Sequence, residues 1–303
     1  MHVPTLALFA IPTAIWGSTW LAITFQFGTV APELSVAYRF ALAGAIVAAW
    51  CRATRQPLAA SGREHGWLVL FGLTFFGINY LAVYWAERDI PSGLVAVVFS
   101  TIVFMTPFAM RVFYGERLTA RTLVAAALGV TGVALLFLPE LTAASQGGQV
   151  AQGIGIALAA TFSCALGNVI AIRNHRAGLA TLPSTAWGMF YGAGFALAVA
   201  AFLGVPFRFE VSTRYVLSLA YLTLFGSVFA FAAYLTLLHR VGPGPTSFIS
   251  IATPVIALAL STAFEGYRWT WVGVLGLALA IAGNWLALRR RARSFEGQLR
   301  LDD

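Results

Sequence analysis

Ten long apolar runs, separated by short polar connections, constrain this chain more than any other feature. They lie at roughly 5–27, 34–51, 67–86, 91–111, 119–138, 151–172, 183–205, 215–238, 243–264 and 271–289. A spanning helix needs roughly 20 mostly apolar residues. Ten of them account for most of the 303 residues. The runs are continuous rather than alternating, which excludes membrane β-barrel strands. In lipid a segment must satisfy its own backbone hydrogen bonds, so each run is expected to be an α-helix. The expected fold class is an all-α polytopic membrane protein with ten transmembrane helices.

Composition removes the competing classes. The chain is 59% hydrophobic and 10% charged, whereas a soluble domain is about 45–50% apolar and about 25% charged. A soluble enzyme and a disordered chain are both excluded by that balance. The connections are too short for an extramembrane domain of roughly 50 residues. Cys51 and Cys164 sit far apart and form neither a disulfide framework nor a zinc-binding spacing. The first run is not preceded by a basic segment, so no cleaved signal peptide is expected.

The net charge of +8 comes from arginine alone, since there is no lysine. On a soluble domain such an excess would point to nucleic acid. Here the arginines gather at run ends, so they read as orientation signals and no nucleic-acid partner is expected. With a cytoplasmic N-terminus, fourteen arginines face inside; the outer loops carry Arg88, Arg208, Arg214 and Arg268. That bias places both termini in the cytoplasm. The stretch after Arg289 reads as a charged stub without fixed structure.

Displaced by 151 residues, the sequence meets itself. Phe113, Gly115, Arg117 and Thr119 fall on Phe264, Gly266, Arg268 and Thr270. Gly93 falls on Gly244, Gly132 on Gly283, and Leu73 on Leu224. Each half then holds five spans. Five is odd, so the halves must insert in opposite orientations. Inverted repeats of this kind recur in secondary transporters. The expected domains are 1–140 (spans 1–5), a linker at 141–150, 151–289 (spans 6–10), and a cytoplasmic tail at 290–303.

Several short motifs occur in a recognisable order. They are Trp16-Gly17-Ser18, Tyr38-Arg39-Phe40, Ile90-Pro91-Ser92-Gly93, Gly115-Glu116-Arg117-Leu118-Thr119 and Thr253-Pro254-Val255. On these residues the chain resembles the drug/metabolite transporter superfamily, in its EamA-type branch of two tandem domains, over about 5–289. Within that branch it looks most like bacterial amino-acid and metabolite exporters of the YddG type. The resemblance implies an inverted five-plus-five repeat in the bacterial cytoplasmic (inner) membrane. It also implies a central cavity lined by spans 1, 3, 4, 6, 8 and 9, and export of small metabolites. Two departures stand out. The family's span 4 proline would fall on Val103, while Pro107 sits one turn later. The second half has Glu265-Gly266 where the family often has Gly-Glu.

The acidic residues and histidines all lie near span ends or in loops. Proton relays in pumps usually place such a group at mid-depth. The reading is therefore export without a buried proton-relay carboxylate, with Glu33 and Glu87 as the only candidates for coupling at a mouth. Arg39 is the clear intramembrane charge. One reading is a cation that attracts a substrate carboxylate. The other, preferred here, is a side chain that snorkels outward or bonds to carbonyls.

Candidate substrate-binding residues are the polar and aromatic side chains at mid-depth. These are Trp16 and Trp20 of span 1, which share a face, and Phe76, Asn79 and Tyr80 of span 3. Ser100 and Thr101 of span 4, Ser163 of span 6, Ser227 and Tyr234 of span 8, and Ser250 of span 9 complete the set. A neutral, aromatic-rich lining suits amphipathic solutes. Each residue has a plainer reading as helix packing or interface anchor. Candidate hinges are Pro91, Gly93, Pro107, Gly242, Pro243, Gly244 and Pro254. Gly188 and Gly192 form a GxxxG, read as packing inside the monomer before a dimer face. Monomer and homodimer both stay open.

No catalytic constellation, metal spacing or nucleotide motif is present in the sequence. The expected cofactor set is empty, and the partners are a small-molecule substrate and the lipid bilayer. The expected function is export of amino acids or similar amphipathic metabolites by alternating access. Alternatives are export of drugs or other metabolites by the same fold, and a membrane-embedded enzyme acting on lipid.

Overall fold

Lipid-exposed backbone leaves helix as the only economical solution for these runs. The computed structural model describes residues 4–142, 147–241, 246 and 248–299. Its spans are 1 (Thr5–Thr24), 2 (Pro32–Ala53), 3 (Gly62–Ala86), 4 (Ser92–Tyr114) and 5 (Ala120–Thr142). The second half gives 6 (Gly147–Arg176), 7 (Thr181–Phe202), 8 (Thr213–Val241), 9 (Ile249–Phe264) and 10 (Trp271–Leu299). Among the described residues nine helices are long and apolar enough to cross a membrane, and span 9 is a shorter apolar tenth. The apolar part of span 10 ends at Leu288, close to the expected 289, but the helix runs on to Leu299 where a stub without fixed structure was expected. Residues 290–299 contain no proline and are mostly good helix formers, so nothing in them ends the helix.

The repeated junction has a common backbone cause. Gly115 ends span 4 with φ +67, and its repeat partner Gly266 follows span 9 with φ +73. Both are left-handed closing positions that favour glycine. Glu265, the departure from the family pattern, turns back instead onto span 4. It accepts from the Ser92 backbone N–H at 3.2 Å and from the Ser92 hydroxyl. A carboxylate thus serves the open N–H groups at the start of span 4.

Three interruptions have no counterpart in the sequence pattern. Span 3 carries a π-helical segment at Gly72–Ile78, and span 8 carries one at Leu222–Phe229. The displacement of 151 takes the first onto 223–229, so the irregularity is itself repeated. Span 4 is broken at Ser100–Thr101, between helical pieces Ser92–Phe99 and Ile102–Tyr114. Pro107 lies inside the second piece.

The chain divides into two compact units, and each draws on both sequence halves. The first unit comprises Met1–Leu21, Glu87–Gly155 and Phe229–Asp303. Its spans 5 and 10 meet through small residues. A Cβ on Gly132 would lie 2.5 Å from Ala280 N and 2.6 Å from Gly276 O. One on Gly283 would lie 2.7 Å from Ala125 O and 2.8 Å from Gly129 N. These contacts are exchanged by the repeat displacement: 132 with 280 becomes 283 with 129. The pairing runs antiparallel, as inverted halves require. Spans 4 and 9 approach as closely, with a Gly93 Cβ placed 2.6 Å from Leu258 Cα. Gly93, read as a hinge, is thus also a close packing point.

The second unit comprises Ala22–Ala86 and Ile156–Val228. Spans 3 and 7 run parallel through Gly72, Gly77, Gly188 and Gly192. A Cβ on Gly72 would sit 2.6 Å from Gly188 O, and one on Gly192 2.5 Å from Phe76 Cβ. The GxxxG therefore packs within the chain, where small residues let backbones approach.

Candidate functional site

Within the second unit, the polar centre forms around Arg39. Its span 2 position is buried at 2% exposure, so it does not snorkel outward. Nε donates to Ser227 Oγ at 3.1 Å. The guanidinium carbon stands 4.8 Å from the Tyr80 ring centre and 5.2 Å from that of Phe40. Phe40 in turn meets Tyr80 and Phe76 edge-on at 4.5 and 5.1 Å. Burying such a cation costs at least about 2.5–3.5 kcal/mol on insertion scales. Cation–π contact offsets about 0.5–2 kcal/mol, and one charged hydrogen bond about 1.5–3 kcal/mol.

Ser227 has two duties. It accepts from Arg39 and donates to Leu222 O at 3.0 Å, five residues earlier in the π segment. Ser163 of span 6 donates to Thr74 O at 2.8 Å, a carbonyl inside the π segment of span 3. Asn79 donates to Phe75 O at 3.0 Å. A π register weakens the regular ladder, and these side chains satisfy carbonyls within it.

Within the first unit, the aromatic residues of span 1 gather against span 8 and span 4. Trp16 lies 5.2 Å from Phe231 and 5.4 Å from Tyr234, ring centre to ring centre. Trp20 lies 5.3 Å from Phe99. Gly17 of the Trp16-Gly17-Ser18 motif sits beneath Ile256, whose Cγ2 would be 2.6 Å from an added Cβ. Ser100 and Thr101 turn their hydroxyls onto Val97 O and Val98 O, each at 2.7 Å, at the break in span 4. Ser250 is half-buried on span 9.

The sequence-selected residues thus fall into two groups. Phe76, Asn79, Tyr80, Ser163 and Ser227 come together with Arg39 in one unit, and Trp16, Trp20, Ser100, Thr101, Tyr234 and Ser250 belong to the other. Among the hinge candidates, Pro91 precedes span 4 and Pro254 is buried inside span 9. Gly242, Pro243 and Gly244 lie outside the described residues. Glu33, considered for coupling, accepts from Trp85 Nε1 at 2.8 Å in the first turn of span 2. Glu87 is buried beside the start of span 4. Sequence reasoning missed Thr223, a buried hydroxyl on span 8, because one threonine in an apolar run carries no signal. Among the described residues no group of three His, Cys, Asp or Glu side chains could hold a metal ion.

Relatives match this sequence along nearly the whole chain. An uncharacterized inner membrane transporter, YedA of Escherichia coli K12, is 29% identical and covers 91% of this chain and 89% of its own length. A probable amino-acid metabolite efflux pump of the same strain is 25% identical, covering 93% of each. A solved crystal structure superposes with a TM-score of 0.65 at 18% identity, over 93% of this chain and 96% of the other, which supports the fold. The EamA-like transporter family matches twice, at residues 4–138 and 151–289. With both halves matched and nine long apolar helices and a shorter tenth among the described residues, the chain belongs to the EamA-like transporter family, a multi-pass inner membrane transporter of the drug/metabolite superfamily.

Proposed function

We propose that the chain exports amino acids or similar small amphipathic metabolites by alternating access, with both termini in the cytoplasm. The observation that carries this reading is the exchange symmetry of spans 5 and 10, where repeat-related glycines make repeat-related contacts. Two inverted halves with interchangeable packing can present one site to either membrane face in turn. The aromatic sets around Trp16 and Tyr80 suit solutes with an apolar body and a polar end. The amino-acid assignment also draws on the relative named as a probable amino-acid metabolite efflux pump. Glu33 engages an indole at a helix end, which supports transport without a buried proton-relay carboxylate.

The test is uptake of a radiolabelled amino-acid panel into proteoliposomes of the purified protein, with and without an imposed pH gradient. Saturable uptake without the gradient is expected. Uptake only with a proton gradient would overturn the uncoupled reading and direct attention to Glu33 and Glu87. Absence of uptake for every amino acid by folded protein would move the substrate class to drugs or other metabolites.

A further inference from the structure

A guanidinium presents five N–H donors and no acceptor. At Arg39, Nε is spent on Ser227 and one face rests on Tyr80. Nη1 is buried and has no hydrogen-bond partner among the described residues. No carboxylate among the described residues pairs with the charge. One turn before Ser227, the Thr223 hydroxyl is likewise buried without a partner. Residues four apart share a helix face, so this hydroxyl lies on the side of span 8 that holds Arg39. The result is a cation and a hydroxyl, both able to donate, on a strip walled by aromatic rings.

We propose that Arg39 is the substrate's anion-receiving subsite: its terminal nitrogens take a carboxylate, Thr223 adds a hydroxyl donor, and Ser227 positions the guanidinium. The subsite rests on the export reading above and narrows it to solutes bearing a carboxylate. The chemistry follows from what is already engaged. With Nε held by Ser227 and Nη1 without a hydrogen-bond partner among the described residues, the terminal nitrogens are left to give the parallel hydrogen bonds that a carboxylate accepts. A single arginine with one hydroxyl matches a monoanion. The half-buried Tyr80 ring, beside the guanidinium, is the aromatic surface for the apolar body attached to that head. Ser227 also ties the site to the π segment of span 8 through Leu222 O. A carboxylate that draws on Arg39 therefore pulls on the register of that span.

The experiment compares L-phenylalanine with L-phenylalaninamide, which lacks the carboxylate, in proteoliposomes of wild type, Arg39→Gln, Arg39→Lys and Ser227→Ala. Arg39→Gln is expected to lower phenylalanine uptake about tenfold or more, since the site loses its charged donor. Amide uptake should stay within about twofold, and Arg39→Lys should restore part of the difference. Ser227→Ala should raise KM for phenylalanine more than it lowers kcat. Equal losses on both substrates would overturn the proposal and leave Arg39 a packing residue. If wild type transports neither compound, phenylalanine is excluded as a substrate separately from the subsite. Thermal stabilisation of detergent-solubilised wild type by phenylalanine over its amide, lost in Arg39→Gln and kept in part in Arg39→Lys, would still support the subsite. No difference between the two compounds would sink it.

Discussion

The π segments of spans 3 and 8 occupy repeat-equivalent positions but are held in different ways. That of span 3 is internal to one compact unit, wedged by Gly72 and Gly77 against span 7. Its Thr74 carbonyl is served by Ser163 from span 6. That of span 8 ends where the chain passes from one unit to the other, between Val228 and Phe229. Its Leu222 carbonyl is served from within the span by Ser227, the residue that also holds Arg39. One segment is fixed by backbone contact; the other is tied to a charge. The same irregularity has become a packing joint in the first half and a polar joint in the second.

The strongest way to break this comparison is to exchange the residues that set it. Gly72 and Thr223 are repeat partners. A side chain at Gly72 meets backbone, with Gly188 O at 2.6 Å, so neither partner can yield. Gly72→Thr should cost about 1–3 kcal/mol or more through overpacking and reduce recovery of monodisperse protein. The reciprocal Thr223→Gly should cost roughly 0.3–0.5 kcal/mol through helix propensity. Both are read as thermal unfolding in detergent, followed by labelling of the buried thiols Cys51 and Cys164 as they become exposed. Equal destabilisation by both changes would show that the two segments are held alike.

The serines sharpen the contrast at a smaller scale. Ser163→Ala and Ser227→Ala each remove a donor from a π-segment carbonyl, at about 1–3 kcal/mol if that carbonyl is left unsatisfied. Ser163→Ala should lower stability and leave uptake per folded molecule unchanged. Ser227→Ala should lower both, because Arg39 loses its only described hydrogen bond. Preserved uptake in Ser227→Ala would make both joints purely structural.

Much of this was legible in the sequence, and what escaped shares a physical cause. Continuous apolar runs gave the spans because a helix in lipid must be long and apolar. The match of Gly115 with Gly266 gave the repeat because a left-handed turn favours glycine. A π register, by contrast, leaves hydropathy unchanged, so Gly72–Ile78 reads like any other stretch of span 3. Proline drew attention to Pro107, yet the break of span 4 lies at Ser100–Thr101, where two hydroxyls compete for backbone carbonyls. Sequence alone reads Arg39 as a side chain that snorkels outward or bonds to carbonyls, because sequence shows depth but not neighbours. Its partner Ser227 is 188 residues away, and only the fold brings them together.

The smallest test concerns how the two π-bearing spans begin. Ser61 and Ser212 are again repeat partners, and each caps its span, accepting from Glu64 N and Tyr215 N at 3.3 Å. Their acidic companions differ. Glu64 reaches back to Ser61 N to complete a capping box, whereas Glu210 precedes its cap and accepts from the Ser212 hydroxyl. Either serine replaced by alanine should cost about 0.5–2 kcal/mol. Only the second change should also move a titration. The Ser212 hydroxyl, followed by Thr29, holds the Glu210 carboxyl below its ordinary range. A depressed carboxylate contributes stability above the unfolded value and loses it as pH falls through the folded one. Acidification should therefore weaken the start of span 8 in wild type, and Ser212→Ala should return Glu210 toward the usual carboxylate range. Carbon-detected titration of Glu210 in both proteins checks this; an unchanged titration in Ser212→Ala would mean that Thr29 and Arg214 hold the carboxylate without the serine.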